Sequence, residues 1–492
     1  MNKINAITVR LSVPLGLGLL LSACAVGPDY ERPAAPSPAQ FKENKGWVQA
    51  APLAVPAQGA WWTIFGDSTL NELEPRVAAA NQSLRASFYA YQQAQALVDS
   101  ARSAEFPTVG ATVSSTRASA GTTSTVGPTG TSTVIAGKSA GLNISWVLDL
   151  WGKVRREVES QEASAESSRD TLLAAQLSLQ ATLAQDYFQI RQIDSQIALA
   201  QDTVTGYEKF LQLTQNRYAA GVATLADVAQ AQSQLANARV QLAAFKVQRP
   251  QLEHAIAVLV GEPPSGFDLP AMPGVPQPHA IPAGVPSQLL LRRPDLAASE
   301  RLVAAANAQI GVAKSAYFPT LTLSGQRGWR NNSTFSNLIS APNAFWSFGP
   351  SLAETIFDGG LRSAQVAQSQ AAYQQAVAQY RQACLQALQQ VEDQLAALSS
   401  LADEAELQGQ AVAAADESLR VTTNQYKAGV TTYLNVIAAQ INSYTAHNAA
   451  LLIAGQRLTA NVALIQALGG GWEANVPLAR DVGISQQQAV NK

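Results

Sequence analysis

The chain has 492 residues, of which only 14% are charged and 47% are apolar, a balance that excludes a disordered polyelectrolyte. Lysine and arginine total 33 against 35 for aspartate and glutamate, and the formal net charge of −2 provides no field for nucleic acid. The two cysteines, Cys24 and Cys384, exclude a disulfide framework and a cysteine-built zinc site, and past residue 25 no run of eighteen apolar residues is present to make a membrane-spanning helix.

In chain order, residues 1–23 place Lys3 and Arg10 before the apolar stretch Leu11 to Leu21, the layout of a secretory signal peptide. The stretch closes on Leu21-Ser22-Ala23-Cys24, which resembles a bacterial lipobox, so Cys24 is the expected site of acylation by palmitate-like chains. Each buried CH₂ contributes about 0.8 kcal/mol, enough in sum to hold a protein at a membrane surface. Ala25, rather than the aspartate that favours inner-membrane retention, points to the outer membrane.

Proline decides where long helices are possible. Ten of the 24 prolines lie between Pro250 and Pro294, and none lies in 129–249 or 351–476. In the first gap Leu183, Ile190, Ile197, Val204, Leu211 and Tyr218 recur every seven residues, with Ile193, Ala200 and Tyr207 interleaved, which predicts a heptad seam. In the second gap Tyr373, Val377, Tyr380, Cys384, Leu388, Val391, Leu395 and Leu398 step by about 3.6, one stripe of a helix. The 66 residues from Lys153 to Tyr218 would span roughly 100 Å as a helix, so an elongated molecule is expected. Elsewhere Leu142, Ile144, Trp146, Leu148 and Leu150 alternate with Asn143, Ser145 and Asp149, the period of a half-buried strand. Thr108 to Thr116, Thr320 to Gln326 and Phe345 to Leu352 make three more strands, with Pro350 marking an edge or an end.

These pieces occur twice. Ser103-Ala104-Glu105-Phe106-Pro107-Thr108 matches Ser315-Ala316-Tyr317-Phe318-Pro319-Thr320. Asn216-Arg217-Tyr218-Ala219-Ala220-Gly221-Val222-Ala223-Thr224 likewise matches Asn424-Gln425-Tyr426-Lys427-Ala428-Gly429-Val430-Thr431-Thr432. A tandem duplication follows, and with it a division of the chain. A signal peptide (1–23) precedes an acylated extended segment (24–67). Repeat 1 (68–261) holds strands near 108–120 and 138–150 and a turn near 221. A Pro-rich linker (262–294) leads to repeat 2 (295–469), with strands near 319–330 and 344–356 and a turn near 429, and a tail (470–492) ends the chain. Lipid requires every backbone polar group to be paired, so strands in a membrane must close into a barrel. Four cannot close alone; two chains would give eight strands and a filled interior, whereas three would give twelve and a lumen.

The sequence resembles the TolC-like outer membrane factors, in particular the lipoprotein branch of resistance-nodulation-division efflux systems. The resemblance rests on Trp61-Trp62 with Phe65-Gly66-Asp67, Leu148-Asp149-Leu150-Trp151-Gly152-Lys153-Val154-Arg155, Arg292-Arg293-Pro294-Asp295-Leu296, Ala304-Ala305-Ala306-Asn307-Ala308-Gln309-Ile310-Gly311 and Phe357-Asp358-Gly359-Gly360. It implies a mixed α and β fold: a homotrimeric 12-stranded transmembrane β-barrel, four strands per chain, continued by a long periplasmic α-helical coiled-coil barrel. It further implies an outer-membrane exit duct that passes small molecules such as drugs from an inner-membrane resistance-nodulation-division transporter and a periplasmic adaptor. By the same resemblance Gly221, Val222, Thr224, Gly429, Val430 and Thr432 form the adaptor-docking tip, and Asp227, Tyr426 and Leu434 the periplasmic gate. Thr431 stands where some members carry a basic residue, and Asn435 and Ala438 stand where members often carry carboxylates.

Two other readings fit parts of the pattern: the outlet of a type I protein secretion system, and a non-channel periplasmic coiled-coil lipoprotein. An enzyme does not fit. Gly137-Lys138-Ser139-Ala140-Gly141 matches G-x-S-x-G, but a Gly/Thr/Ser-rich loop precedes the serine and a strand follows it, the reverse of a nucleophile elbow. A phosphate loop would need glycine where Ser132 stands. His254, His279 and His447 have no metal-ligand spacing, and Cys384 falls on the apolar stripe as a small core residue. No cofactor is expected.

Overall fold

The computed structural model describes residues 25–36, 38, 40–43, 60–120, 133–276, 292–331 and 337–470. The signal peptide, Cys24 and the tail 471–492 lie outside the described residues. A short 3₁₀ turn (Trp61–Phe65) precedes α1 (Ser68–Ala80) and α2 (Gln82–Arg102). Strands β1 (Thr108–Ala120) and β2 (Thr133–Leu148) lead into α3 (Lys153–Ala219) and α4 (Leu225–Leu259). After α5 (Pro294–Ser315), β3 (Thr320–Asn331) and β4 (Ala344–Ala353) come α6 (Leu361–Lys427) and α7 (Tyr433–Ala467). The duplication shows in the lengths: α3 and α6 each have 67 residues, and α4 and α7 each have 35. A helix of 67 residues is about 100 Å long. Among the described residues no helix is long and apolar enough to cross a membrane.

Two compact units emerge, and each draws on both repeats. One contains residues 1–34, 90–168 and 299–380; the other contains 35–89, 169–298 and 381–492. The first unit holds a single antiparallel sheet in the order β1-β2-β3-β4, so β1 and β4 are open edges within one chain. Pro350 lies inside β4, opposite Leu323, where an edge strand tolerates the missing donor. Leu150 falls beyond the end of β2, in the lead-in to α3.

Register sorts the sheet into two chemically distinct faces, because side chains alternate along each strand. Val109, Ile144, Gly325 and Phe348 form one row, and Ala111, Leu142, Arg327 and Trp346 the next row on the same face. The rows between belong to the other face: Gly110, Asn143, Gln326 and Ser347, and before them Thr108, Ser145, Ser324 and Gly349. In these rows one face is apolar apart from Arg327, and the other is hydroxyl- and amide-lined. Ser139 sits in mid-strand, opposite Ser114 and Arg330. The strand begins before it rather than after it, and no nucleophile elbow exists there.

The two helical patterns fare differently. Tyr373 is half-buried, and Val377, Tyr380, Cys384, Leu388, Val391, Leu395 and Leu398 are all buried, as a 3.6-residue step requires. The seven-residue series does not stay on the buried face: Leu183 and Ile190 are fully buried, yet Tyr218 is 47% exposed. Seven residues fall about 20° short of two turns of a straight α-helix, so five steps rotate the series by roughly 100°. Ile193, Ala200 and Tyr207 remain buried where that first series drifts off.

Candidate functional site

The turns that reverse the long helices have the same backbone geometry. Gly221 lies at φ +71° and Gly429 at φ +77°. The Val222 N–H donates to the Arg217 carbonyl and the Val430 N–H to the Gln425 carbonyl, both at 2.9 Å, which closes a Schellman motif in each. A Cβ at either glycine would meet nothing within 4 Å. Positive φ alone, which costs an L residue roughly 1–2 kcal/mol, therefore selects glycine here. At the apices Val222 and Val430 are 65% and 75% exposed, two apolar side chains presented to water.

Behind the apices the repeats diverge. Thr224 and Asp227 form a reciprocal capping box at the start of α4. The Asp227 N–H donates to Thr224 Oγ1 (3.2 Å), and Asp227 Oδ2 accepts from the Thr224 N–H and hydroxyl (2.8 Å each). Thr432, the counterpart of Thr224, makes no side-chain cap; Asn435, in the place of Asp227, donates to Thr431 Oγ1 at 2.8 Å. Tyr426 is buried although its counterpart Tyr218 is exposed. The Arg217 guanidinium lies 4.7 Å from the Tyr426 ring centroid, and Tyr433 packs at 5.6 Å from it. Phe210 stacks on Tyr433, and Ala231, Val436 and Ile437 complete the cluster. Burial pushes the Tyr433 phenol up to about 12. The Tyr426 hydroxyl is enclosed with no hydrogen-bond partner among the described residues. Within one chain Asp227 and Tyr426 are thus not bonded to each other: the carboxylate serves a helix cap and the ring serves a core. Leu434 is 67% exposed, so it does not pack in the helix seam of its own chain.

Arg217, Phe210 and Tyr433 were not singled out in the sequence. They lie on helices some two hundred positions apart, and the 208-residue offset predicts equivalence of the halves rather than contact between them.

The other resemblance motifs hold joints of the fold. Asp67 accepts from the Thr69 and Leu70 N–H groups, from the Tyr187 hydroxyl (2.8 Å) and from Arg191 (2.8 Å), tying α1 to α3. Asn81 donates to the Leu259 carbonyl at 2.9 Å, and its counterpart Arg293 donates to the Ala467 carbonyl at 3.0 Å. Each satisfies an orphan acceptor at the end of a returning helix. At the strand-to-helix junctions Asp149 accepts from the Val154 and Arg155 N–H groups (3.1 and 3.0 Å), and Asp358 from the Arg362 N–H and Nε (3.2 and 2.6 Å). The Arg362 hydrogen bond holds the Asp358 carboxyl below its usual range. The segment just after Cys24 is fixed to the same unit. The Val26 N–H donates to the Trp151 carbonyl (3.0 Å), Asp29 pairs with Arg156 (2.8 Å), and Tyr30 hydrogen-bonds Glu300. Of the histidines, His447 pairs with Asp416 at 2.9 Å, and His279 lies outside the described residues.

The family described as outer membrane efflux protein matches residues 74–262 and 285–470. The chain belongs to that family. It is 31% identical over 457 residues to "Probable efflux pump outer membrane protein TtgC" of Pseudomonas putida, covering 92% of this chain and 94% of that one. It is 28% identical to "Cation efflux system protein CusC" of Escherichia coli O6:H1, covering 94% and 98%. The solved structure of the outer-membrane channel OprN superposes with a TM-score of 0.83 at 29% identity, covering 91% of this chain and all of the other. The fold is that of the trimeric TolC-like channels: four strands per chain toward a twelve-stranded barrel, with long periplasmic helices, in a tandem repeat. The protein resides in the outer membrane and works as an efflux duct, not as an enzyme. In that setting the apolar face of the sheet meets lipid and the hydroxyl- and amide-lined face meets the lumen.

Proposed function

We propose that this chain is the exit duct of a tripartite drug-efflux pump, docked through its two Gly turns to a periplasmic adaptor that links it to an inner-membrane resistance-nodulation-division transporter. The observation that carries this reading is the pair of apices. Gly221 and Gly429 have open space where a Cβ would be, and Val222 and Val430 stand bare beside them. Exposed apolar side chains on a rigid turn gain by being covered, and Thr224 and Thr432 flank them with hydroxyls. The gate belongs to the same end. Leu434 supplies an apolar constriction, while Asp227 braces the α4 turn and Tyr426, clamped by Arg217, braces the α6 turn. Cys24 anchors the chain through its acyl groups. The signal peptide, the extended segment 24–67 and the linker 262–294 serve export, anchoring and the joining of the repeats.

The test compares Gly221→Val and Gly429→Val with the parent chain for trimer yield, drug accumulation in cells and cross-linking of a Thr432→Cys variant to the adaptor. Trimers should form while efflux and cross-linking fall. Normal efflux with undiminished cross-linking in both variants places docking elsewhere.

A further inference from the structure

The lipid-facing side of the sheet carries a feature that conduction does not use. Gly325 lies in its row between Ile144 and Phe348, whose side chains lean over it to within 3.0 and 3.1 Å of where a Cβ would stand. The depression here, about 740 Å³, is lined also by Val109, Leu142 and Trp346, with Arg327 at its rim. Farther along the same face, toward the strand ends remote from the helices, register and parity place Lys138 opposite Ser115 and Asn331, and Arg117 one row beyond. Residues 108–148 and 320–353 include the four described strands and the segments that join β1 to β2 and β3 to β4. They contain four cations, Arg117, Lys138, Arg327 and Arg330, and no aspartate or glutamate. Only Arg330 lies on the lumen face, over the Phe345 ring at 4.8 Å.

We propose that this face binds the phosphorylated glycolipid of the outer leaflet, lipopolysaccharide, with an acyl chain in the groove over Gly325 and its phosphates on Arg327, Lys138 and Arg117. The inference rests on the barrel orientation given above, with the helices periplasmic, so that the basic end of the lipid face lies in the outer leaflet. A carboxylate-free, outward-facing set of cations, starting with Arg327 at the rim of the apolar groove and continuing through Lys138 and Arg117 in later rows, is complementary to a lipid that is anionic at the top and hydrocarbon below.

Purified wild-type trimer in nanodiscs of phosphatidylcholine is titrated with lipopolysaccharide, alongside Arg327→Gln, Lys138→Gln, their double variant and Arg330→Gln. Each outward cation removed should weaken binding roughly fivefold, whereas Arg330→Gln, at the same end of the sheet but on the other face, should leave it unchanged. Dephosphorylated lipid A and phosphatidylethanolamine should compete poorly. Equal loss in Arg330→Gln, unchanged binding in the double variant, or equal competition by dephosphorylated lipid overturns the proposal. Bilayer conductance is measured in parallel, and wild-type conductance in the double variant separates a lost lipid site from a lost barrel. Should the double variant not assemble, Arg327→Lys must keep binding within about twofold, and wild-type binding must weaken between 0.05 and 1 M salt; failure of either refutes the site.

Discussion

Glu74 offers a prediction whose size follows directly from its surroundings. It lies in α1 with no exposed surface, and among the described residues neither carboxylate oxygen has a hydrogen-bond partner. Burial alone pushes its pKa up to about 9 from 4.5. In the folded chain the carboxyl keeps its proton up to about pH 9, whereas the unfolded chain releases it above pH 4.5. The unfolded state therefore binds fewer protons throughout that window, and stability falls as pH rises. The slope is about 1.4 kcal/mol per pH unit, or roughly 2–3 kcal/mol between pH 6 and 8. Asp186, pushed up to about 6 by burial, slopes the same way but only below its folded value, so the range from pH 6 to 8 isolates Glu74. Replacing Glu74 with methionine keeps the volume and removes the titration. Thermal melting of wild type and Glu74→Met at equal protein concentration should show two curves that diverge steadily from pH 6 to 8, the variant being the more stable. Parallel pH dependences, or a wild type that gains stability relative to the variant over that range, would show that the Glu74 carboxyl is solvated or paired in the assembled protein and refute the argument.

The glycines of the repeat should separate by environment. A Cβ at Gly469 would lie 2.5 Å from the Arg292 carbonyl oxygen, so Gly469→Ala should lower trimer yield and melting temperature by more than Gly429→Ala, for which only the φ cost of about 1–2 kcal/mol applies. Asp227→Ala removes the carboxylate half of the capping box, leaving the 227 N–H on Thr224 Oγ1, and should destabilise the α4 start by about 1 kcal/mol, read as faster amide exchange over residues 225–230, while Asn435→Ala should leave α7 unaffected. Cys24→Ser with a cleavable signal restored should abolish incorporation of labelled fatty acid yet permit insertion, since the barrel brings its own apolar band; absence of label on the wild-type chain would remove the anchor from the account.

Local chemistry was enough to find the elements. Proline gaps located the four long helices, although α4 runs on through Pro250 to Leu259; period-two alternation marked the strands, and the paired Gly-Val turns exposed the duplication, because each of these signals is carried by neighbouring residues. The 3.6-residue stripe from Tyr373 to Leu398 held from Val377 onward for the same reason: it states the geometry of the helix itself. Of the seven-residue seam, the interleaved residues Ile193, Ala200 and Tyr207 stay buried, while the series from Leu183 to Tyr218 leaves the buried face of its own chain toward Tyr218, because a seven-residue step falls short of two turns. Tertiary packing also decided what near-identical motifs could not. Tyr218 and Tyr426 occupy equivalent places in the repeat, yet one faces water and the other is buried beneath Arg217. Glu74 reads in sequence as an ordinary helix-surface acid, and only the structure encloses it without a partner among the described residues. The repeats encode the same backbone twice, but burial depends on what lies across from each residue, and that is set by elements far away in the chain.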